Sequence, residues 1–132
     1  MVKFKLEKRG CDFFADDNIK SDIGNYRVCA ADIKGEDGRT YFCEFCRADM
    51  YRWRTTNKRT GAPLKKGVRE LVARDILSVN TCYEDERGAW GNSRLEMALW
   101  SMVLPYTFAG IEKAMEVITG EPCKFDGFTE GK

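Results

Sequence analysis

The sequence contains no histidine and only three prolines. No apolar run in it approaches the ~20 residues that a membrane-spanning helix needs. The missing imidazole removes the commonest general base, the commonest metal ligand and every catalytic triad that depends on histidine. Any enzymatic chemistry would therefore depend on carboxylates, lysine or thiolates. On these grounds we predict a protein that is not an enzyme, needs no cofactor and does not enter a membrane.

The chain is almost neutral, with a net charge of +1. Its first ten residues lack the apolar centre of a signal peptide. With 43% hydrophobic and 33% charged residues, its composition is that of a globular protein. A length of 132 residues fits one domain. We therefore predict a cytoplasmic protein with a single domain at residues 1–120 and a loosely ordered C-terminal tail at residues 121–132.

The N-terminal half shows strand patterns. Residues 2–7 alternate between apolar and charged side chains, which is the period of a half-buried strand. Residues 26–34 and 39–54 are strand-like and flank the turn sequence Gly-Glu-Asp-Gly at residues 35–38, so we predict a long β-hairpin. Its second strand is longer than usual, which predicts a bulge near residues 47–49.

The rest of the chain reads as a loop, a strand and two helices. Glycines and a proline at residues 55–67 predict a long loop, and residues 76–83 predict a further strand. Two apolar stripes at helical spacing follow, separated by Pro105. The fold class that we predict is α+β, a small antiparallel β-sheet with a central long hairpin, packed by two C-terminal α-helices.

Six cysteines are present, and two of them form a CxxC pair at Cys43 and Cys46. A zinc site would need two further ligands, and the sequence has neither a second CxxC nor a histidine to supply them. A strand places Cys43 and Cys46 on opposite faces, so we interpret the cysteines as reduced and structural. Metal binding by this pair stays open as an alternative.

The tripeptide Asp32-Ile33-Lys34 resembles the second half of a nuclease pattern, in which an acid and a lysine on a strand join an upstream acid to hold magnesium. Asp22 or Asp17 would be that upstream acid. This tripeptide is common by chance, and Asp32 and Lys34 are more simply solvated at the end of a hairpin. A small magnesium-dependent nuclease is therefore only the third hypothesis.

The charge is concentrated in residues 51–70, which carry seven Lys or Arg and one acid. We consider three interpretations of this segment, namely a solvated loop, a surface that docks on a partner, and a direct nucleic-acid contact. By the period of a strand, Tyr51 and Trp53 face inward while Arg52 and Arg54 face outward, which favours docking. The candidate basic contacts are Arg52, Arg54, Lys58, Arg59, Lys65 and Lys66.

A second charged segment is the acidic turn formed by Glu84, Asp85 and Glu86. It lacks the ligand spacing of a dedicated calcium loop, so we interpret it as a solvated turn or a partner contact. Trp90 lies between glycines directly after it and is either a lid over the core or an exposed partner anchor. We include these four residues among the candidate partner contacts.

Four segments resemble a domain associated with large polyvalent proteins of bacterial conjugative elements and phages. These segments are YRWRTTNKRTGAPLK at 51–65, TCYEDERGAW at 81–90, SRLE at 93–96 and YTFAGIEKAMEVIT at 106–119. The resemblance covers roughly residues 25–120. Proteins of this kind are thought to enter recipient cells with incoming DNA and to blunt host defences. The resemblance implies a mobile-element accessory protein with a binding role, and it brings no catalytic residues.

The leading hypothesis is a non-enzymatic accessory protein of a phage or conjugative element that binds a protein partner. One form of it is an inhibitor of a host defence nuclease, such as an anti-CRISPR or anti-restriction protein. The first alternative is an accessory protein that binds DNA or RNA directly through residues 51–70. The sequence does not identify the partner or the oligomeric state.

Overall fold

The computed structural model describes residues 1–9, 21–24, 26–83 and 93–129. The strands and helices follow one another along the chain in the order β, β, β, β, α, α, β. Their bounds are β1 Val2–Arg9, β2 Arg27–Lys34, β3 Thr40–Thr56, β4 Pro63–Tyr83, α1 Ser93–Ser101, α2 Phe108–Thr119 and β5 Cys123–Phe128. The predicted α+β class is therefore confirmed in its coarse form. Within these ranges, no helix is long and apolar enough to cross a membrane.

The five strands form one sheet in the order β4-β3-β2-β1-β5. β1, β2, β3 and β4 pair antiparallel, whereas β5 pairs parallel to β1. The prediction of a purely antiparallel sheet was therefore wrong. The two helices follow β4 at one edge of the sheet, and β5 follows them at the other edge, where it lies alongside β1 in the same direction.

The predicted loose tail from residue 121 was wrong for residues 123–128, which form β5. Gly120 ends α2 in the left-handed conformation, with φ 75°, and this turns the chain back toward β1. Phe125 stacks on Phe108 with ring centroids 4.3 Å apart, and its backbone N–H donates to Glu112 Oε2 at 2.8 Å. These contacts fix the segment through tertiary packing that its local sequence does not reveal.

The core forms where one face of the sheet meets apolar side chains of the helices. Tyr41, Cys43 and Phe45 alternate along β3 with half-buried neighbours, as the period of a strand requires. Thr107 caps α2 by accepting from the Gly110 N–H at 3.0 Å. The buried hydrophobic side chains from the helices and the segment between them are Leu99, Leu104, Tyr106, Ile111, Ala114, Met115 and Ile118.

β2 and β3 pair as the predicted hairpin, and a longer hairpin that the sequence did not predict joins β3 to β4. The predicted loop at residues 55–67 shrinks to a tip at residues 57–62. Asn57 Oδ1 accepts from the Arg59 N–H at 2.8 Å, and the Asn57 N–H donates to the Ala62 carbonyl at 2.8 Å. Gly61, with φ 70°, completes the reversal. This turn, capped by side chains, replaces the predicted long loop, because the β3–β4 pairing continues through residues on both sides of it.

Candidate functional site

The β3–β4 hairpin extends past the core as a two-stranded arm, which we define as residues 50–73. On β3 the last buried core residue is Phe45, and on β4 the first is Ile76. β2 accompanies β3 only as far as the pair Val28–Phe45, so β4 is the one described strand that pairs with β3 along the arm. The arm therefore presents both of its faces outside the core.

The base of the arm is an irregularity in the β3–β4 ladder around Asp49, where the sequence predicts a bulge. Opposite it, Asp75 adopts a left-handed backbone with φ 54°, which aspartate tolerates better than most residues. Asp49 Oδ1 accepts from the Asp75 N–H at 3.2 Å. Arg47 Nη1 donates to Asp75 Oδ1 at 2.7 Å. Side-chain bonds thus replace ladder bonds where the pairing is interrupted.

The segment between the two helices fixes this base to the core. The Leu77 N–H donates to the Leu104 carbonyl at 2.8 Å, and the Tyr106 N–H donates to the Asp75 carbonyl at 2.9 Å. Pro105 forms a bridge with Ile76 between these two bonds. The arm is therefore held at its base from the helical layer as well as by the sheet.

One face of the arm is organised by its only acid, Glu70. Its carboxylate accepts from Arg54 Nε at 2.7 Å and Arg52 Nη2 at 3.0 Å, and Lys58 Nζ lies 3.1 Å away. Hydrogen bonds from Lys58 and then from the two arginines lower the pKa of Glu70 to about 2. Three of the six predicted basic contacts are therefore gathered around one anion.

The other face of the arm carries exposed aromatic rings. Trp53 is 66% exposed and Tyr51 is 42% exposed, so the prediction that both face inward was wrong. Their alternation with arginines is that of an amphipathic strand, but no described element covers this face beyond the end of the core. Arg69, directly opposite Trp53 in the ladder, places its guanidinium 3.8 Å from the Tyr51 ring centroid.

Gly67 lies against the indole of Trp53. A Cβ at this position would collide with three atoms of the indole ring. The glycine is thus required for the present position of the ring, not for a left-handed backbone. Replacing it would move the tryptophan while leaving the strand conformation available.

The remaining predicted basic contacts lie at or near the tip. Arg59 is in the tip turn, and Lys65 and Lys66 lie in β4 between the ladder pairs made by Pro63 and Val68, where the register shifts. All three are exposed, and no ion pair joins them to another described residue. A groove of about 560 Å³ runs here along the β3 side of the arm, lined by Arg52, Trp53, Arg54, Thr55, Thr56, Asn57, Lys58 and Gly61.

The predicted contacts Glu84, Asp85, Glu86 and Trp90 lie outside the described residues. Their role as partner contacts therefore stays a prediction. The candidate surface that the structure does bring together consists of the arm alone.

The CxxC pair lies within β3, with Cys43 buried in the core and Cys46 half-buried. Burial raises the pKa of the Cys43 thiol well above its usual range, and it raises that of Cys29 to about 11. Such thiols are poor nucleophiles and poor metal ligands at neutral pH. Across the described ranges, no group of three or more His, Cys, Asp or Glu side chains could hold a metal ion.

The nuclease hypothesis gains no geometric support from the described residues. Asp32 and Lys34 are both exposed, and Asp32 has a left-handed backbone with φ 58°. Asp22 has a structural hydrogen bond, in which its Oδ1 accepts from the Phe108 N–H at 3.2 Å. Asp17 lies outside the residues that the structure describes.

Sequence reasoning missed three contributors to this surface, namely Gly67, Arg69 and Glu70. Glu70 could have been recognised as the only acid among seven cations in residues 51–70. Gly67 and Arg69 gave no local signal, because their roles follow from the strand pairing that brings both of them next to Trp53. That register depends on the tip turn and on the bulge together.

No protein-family model, curated protein or solved structure matches this chain.

Proposed function

We propose that this protein is a non-enzymatic binding protein and that its arm contacts nucleic acid. The observation that carries the proposal is the uncovered aromatic face of the arm, with Trp53 66% exposed among basic side chains. Lys and Arg neutralise phosphates, and exposed aromatic rings contact bases. Arg59, Lys65 and Lys66 supply cations that are not paired with another described residue.

The exposure of Tyr51 and Trp53 favours nucleic-acid binding over the protein docking that the sequence favours. The strand period of residues 51–54 predicts that Tyr51 and Trp53 face inward and that only cations face outward, which favours protein docking. Both rings are exposed instead. Cations together with accessible rings are typical of nucleic-acid grooves.

Docking on an acidic protein partner is the second candidate, and the Glu70 cluster favours it. Arg52, Arg54 and Lys58 already converge on one carboxylate. A partner's Asp or Glu can occupy the same kind of position. The resemblance to domains of conjugative-element and phage proteins supplies the setting that we propose for either candidate. In that setting the protein works in the host cytoplasm, and a defence nuclease is the expected protein partner.

The test of the proposed function is fluorescence anisotropy with labelled oligonucleotides between 50 and 200 mM salt. We expect affinity to fall steeply with salt. The double variant Lys65→Ala/Lys66→Ala should reduce the slope of log K against log salt by about 1.4 to 1.8, at roughly 0.7 to 0.9 per phosphate contact.

The matched control is Lys3→Ala/Lys5→Ala, which removes two exposed lysines from β1. This control should bind like the wild type. Absence of oligonucleotide binding at 50 mM salt would eliminate nucleic acid as the target. Co-purification of one host protein that survives nuclease treatment would then support the second candidate.

A further inference from the structure

We infer that the arm recognises single-stranded nucleic acid in preference to duplex, with Trp53 stacking on an unpaired base. This inference rests on the proposed function and names its substrate class. It depends on how the two rings and the nearby cations are arranged along the arm.

Trp53 has the two properties that a stacking platform needs, an accessible ring and a fixed support. The indole lies against the backbone of Gly67, where no side chain intervenes. Trp53 is nevertheless 66% exposed, and no other described element covers it. A supported, exposed ring can accept a base without first leaving the protein surface.

A second platform lies two residues away on the same face of β3. The Arg69 guanidinium stacks on the Tyr51 ring at 3.8 Å, and bases stack on guanidinium planes as well as on aromatic rings. Positions two apart on a strand are about 6.7 Å apart. That is about twice the ~3.4 Å rise per nucleotide along the axis of a duplex, in which neighbouring bases stack on each other. Two neighbouring bases can therefore use both platforms only when the strand is unstacked and extended.

The cations are placed to follow such a strand. Lys65 and Lys66 directly precede Gly67 in β4, and Arg59 lies in the tip turn. The groove along β3 contains Trp53 together with Arg54 and Lys58. A strand whose bases rest on the rings thus has its backbone within the positive field of the tip.

Duplex nucleic acid fits this arrangement less well. A two-stranded β-ribbon can enter a major groove, but paired bases offer only their edges there. The rings of Trp53 and Tyr51 would then contribute no stacking, and only the phosphate contacts would remain. Duplex binding is therefore expected to be weaker and insensitive to the aromatic residues.

The experiment compares one fluorescent oligonucleotide as a single strand and as a duplex, with the full-length chain. We expect the single strand to bind more tightly. Trp53→Leu should weaken single-strand binding by roughly 5- to 150-fold, the range for losing one base–aromatic stack, and leave duplex binding unchanged. Trp53→Phe should retain most of the affinity, and Gly67→Ala should weaken it by displacing the indole.

Leucine covers the Gly67 backbone but cannot stack, so Trp53→Leu separates stacking from support of the arm. Tyr26→Leu, at an exposed aromatic outside the arm, is the matched control and should bind like the wild type. Circular dichroism and thermal unfolding check that each variant folds.

Equal affinity for both forms, or a Trp53→Leu variant that loses single-strand and duplex binding equally, would overturn this inference and leave the proposed function standing. Absence of binding to either form would overturn both. A Trp53→Phe variant as weak as Trp53→Leu would also contradict stacking, because phenylalanine retains an aromatic face.

Discussion

Glu70 is the residue that pairs with three of the arm's cations. It is the only acid in a segment with seven cations, and it holds three of them within 3.1 Å. The carboxylate therefore fixes the positions of these cations and also competes with any phosphate that would bind them. Two opposite effects on substitution follow, one on stability and one on binding.

Glu70→Gln should increase nucleic-acid affinity, because Arg52, Arg54 and Lys58 are released to contact phosphates. We expect the slope of log K against log salt to become steeper by about 0.7 to 0.9 for each additional contact. Fluorescence anisotropy measures this change. Glu121→Gln, which removes an exposed acid outside the arm, should leave the slope unchanged. Weaker binding by Glu70→Gln would mean that the cluster is needed for the shape of the arm.

The same variant should change the acid dependence of folding. The pKa of Glu70 is lowered from 4.5 to about 2 in the folded protein. A carboxyl group whose pKa is lower in the folded protein stabilises the fold fully at pH values above its pKa in the unfolded chain. This stabilisation is lost as the pH falls toward its pKa in the folded protein. We therefore expect urea unfolding to give the wild type a larger free energy of unfolding than Glu70→Gln. The difference between the two free energies should be constant above pH 4.5 and should shrink as the pH falls toward 2. A margin independent of pH would contradict this account of the cluster.

At the scale of elements, the arm is a continuous hairpin whose pairing passes through a bulge. The sequence revealed the strand character of residues 39–54 and 76–83, because aromatic and β-branched residues recur there. It did not reveal that residues 63–67, at the end of the predicted loop, belong to the strand. Their glycine, proline and charged residues are typical of a loop, and only pairing with β3 overrides that preference.

The bulge at the base depends on the ion pair between Arg47 and Asp75. Asp75→Asn should lower the free energy of unfolding by about 1–2 kcal/mol, because it weakens a bond to a charged donor. Asp75→Ala should cost about 1 kcal/mol more, since alanine disfavours the left-handed backbone at this residue. Urea unfolding measures both. Asp126→Asn, at an exposed residue of β5, should be neutral, and equal stability of all three variants would rule out this role for the pair.

At the scale of the whole molecule, the buried residues and the candidate contact residues lie in different parts of the chain. Every core residue that the structure describes as buried lies outside residues 50–73, whereas six of the ten candidate contacts predicted from sequence lie inside them. Composition was sufficient to locate the charge, because the charge is consecutive in sequence. The exposure of Trp53 was not predictable, since it depends on where the helices stop covering the sheet.

Removing the arm tests the central claim most directly. Residues 51–72 can be replaced by Asn-Gly, which forms the tight turn preferred in two-residue hairpins, between the paired residues Met50 and Ala73. Circular dichroism and cooperative unfolding should confirm that the core remains folded, and oligonucleotide affinity at 50 mM salt is then compared with that of the wild type. We predict that the folded variant binds single strands more than about 100-fold more weakly. A folded variant with undiminished affinity would contradict the assignment of binding to the arm.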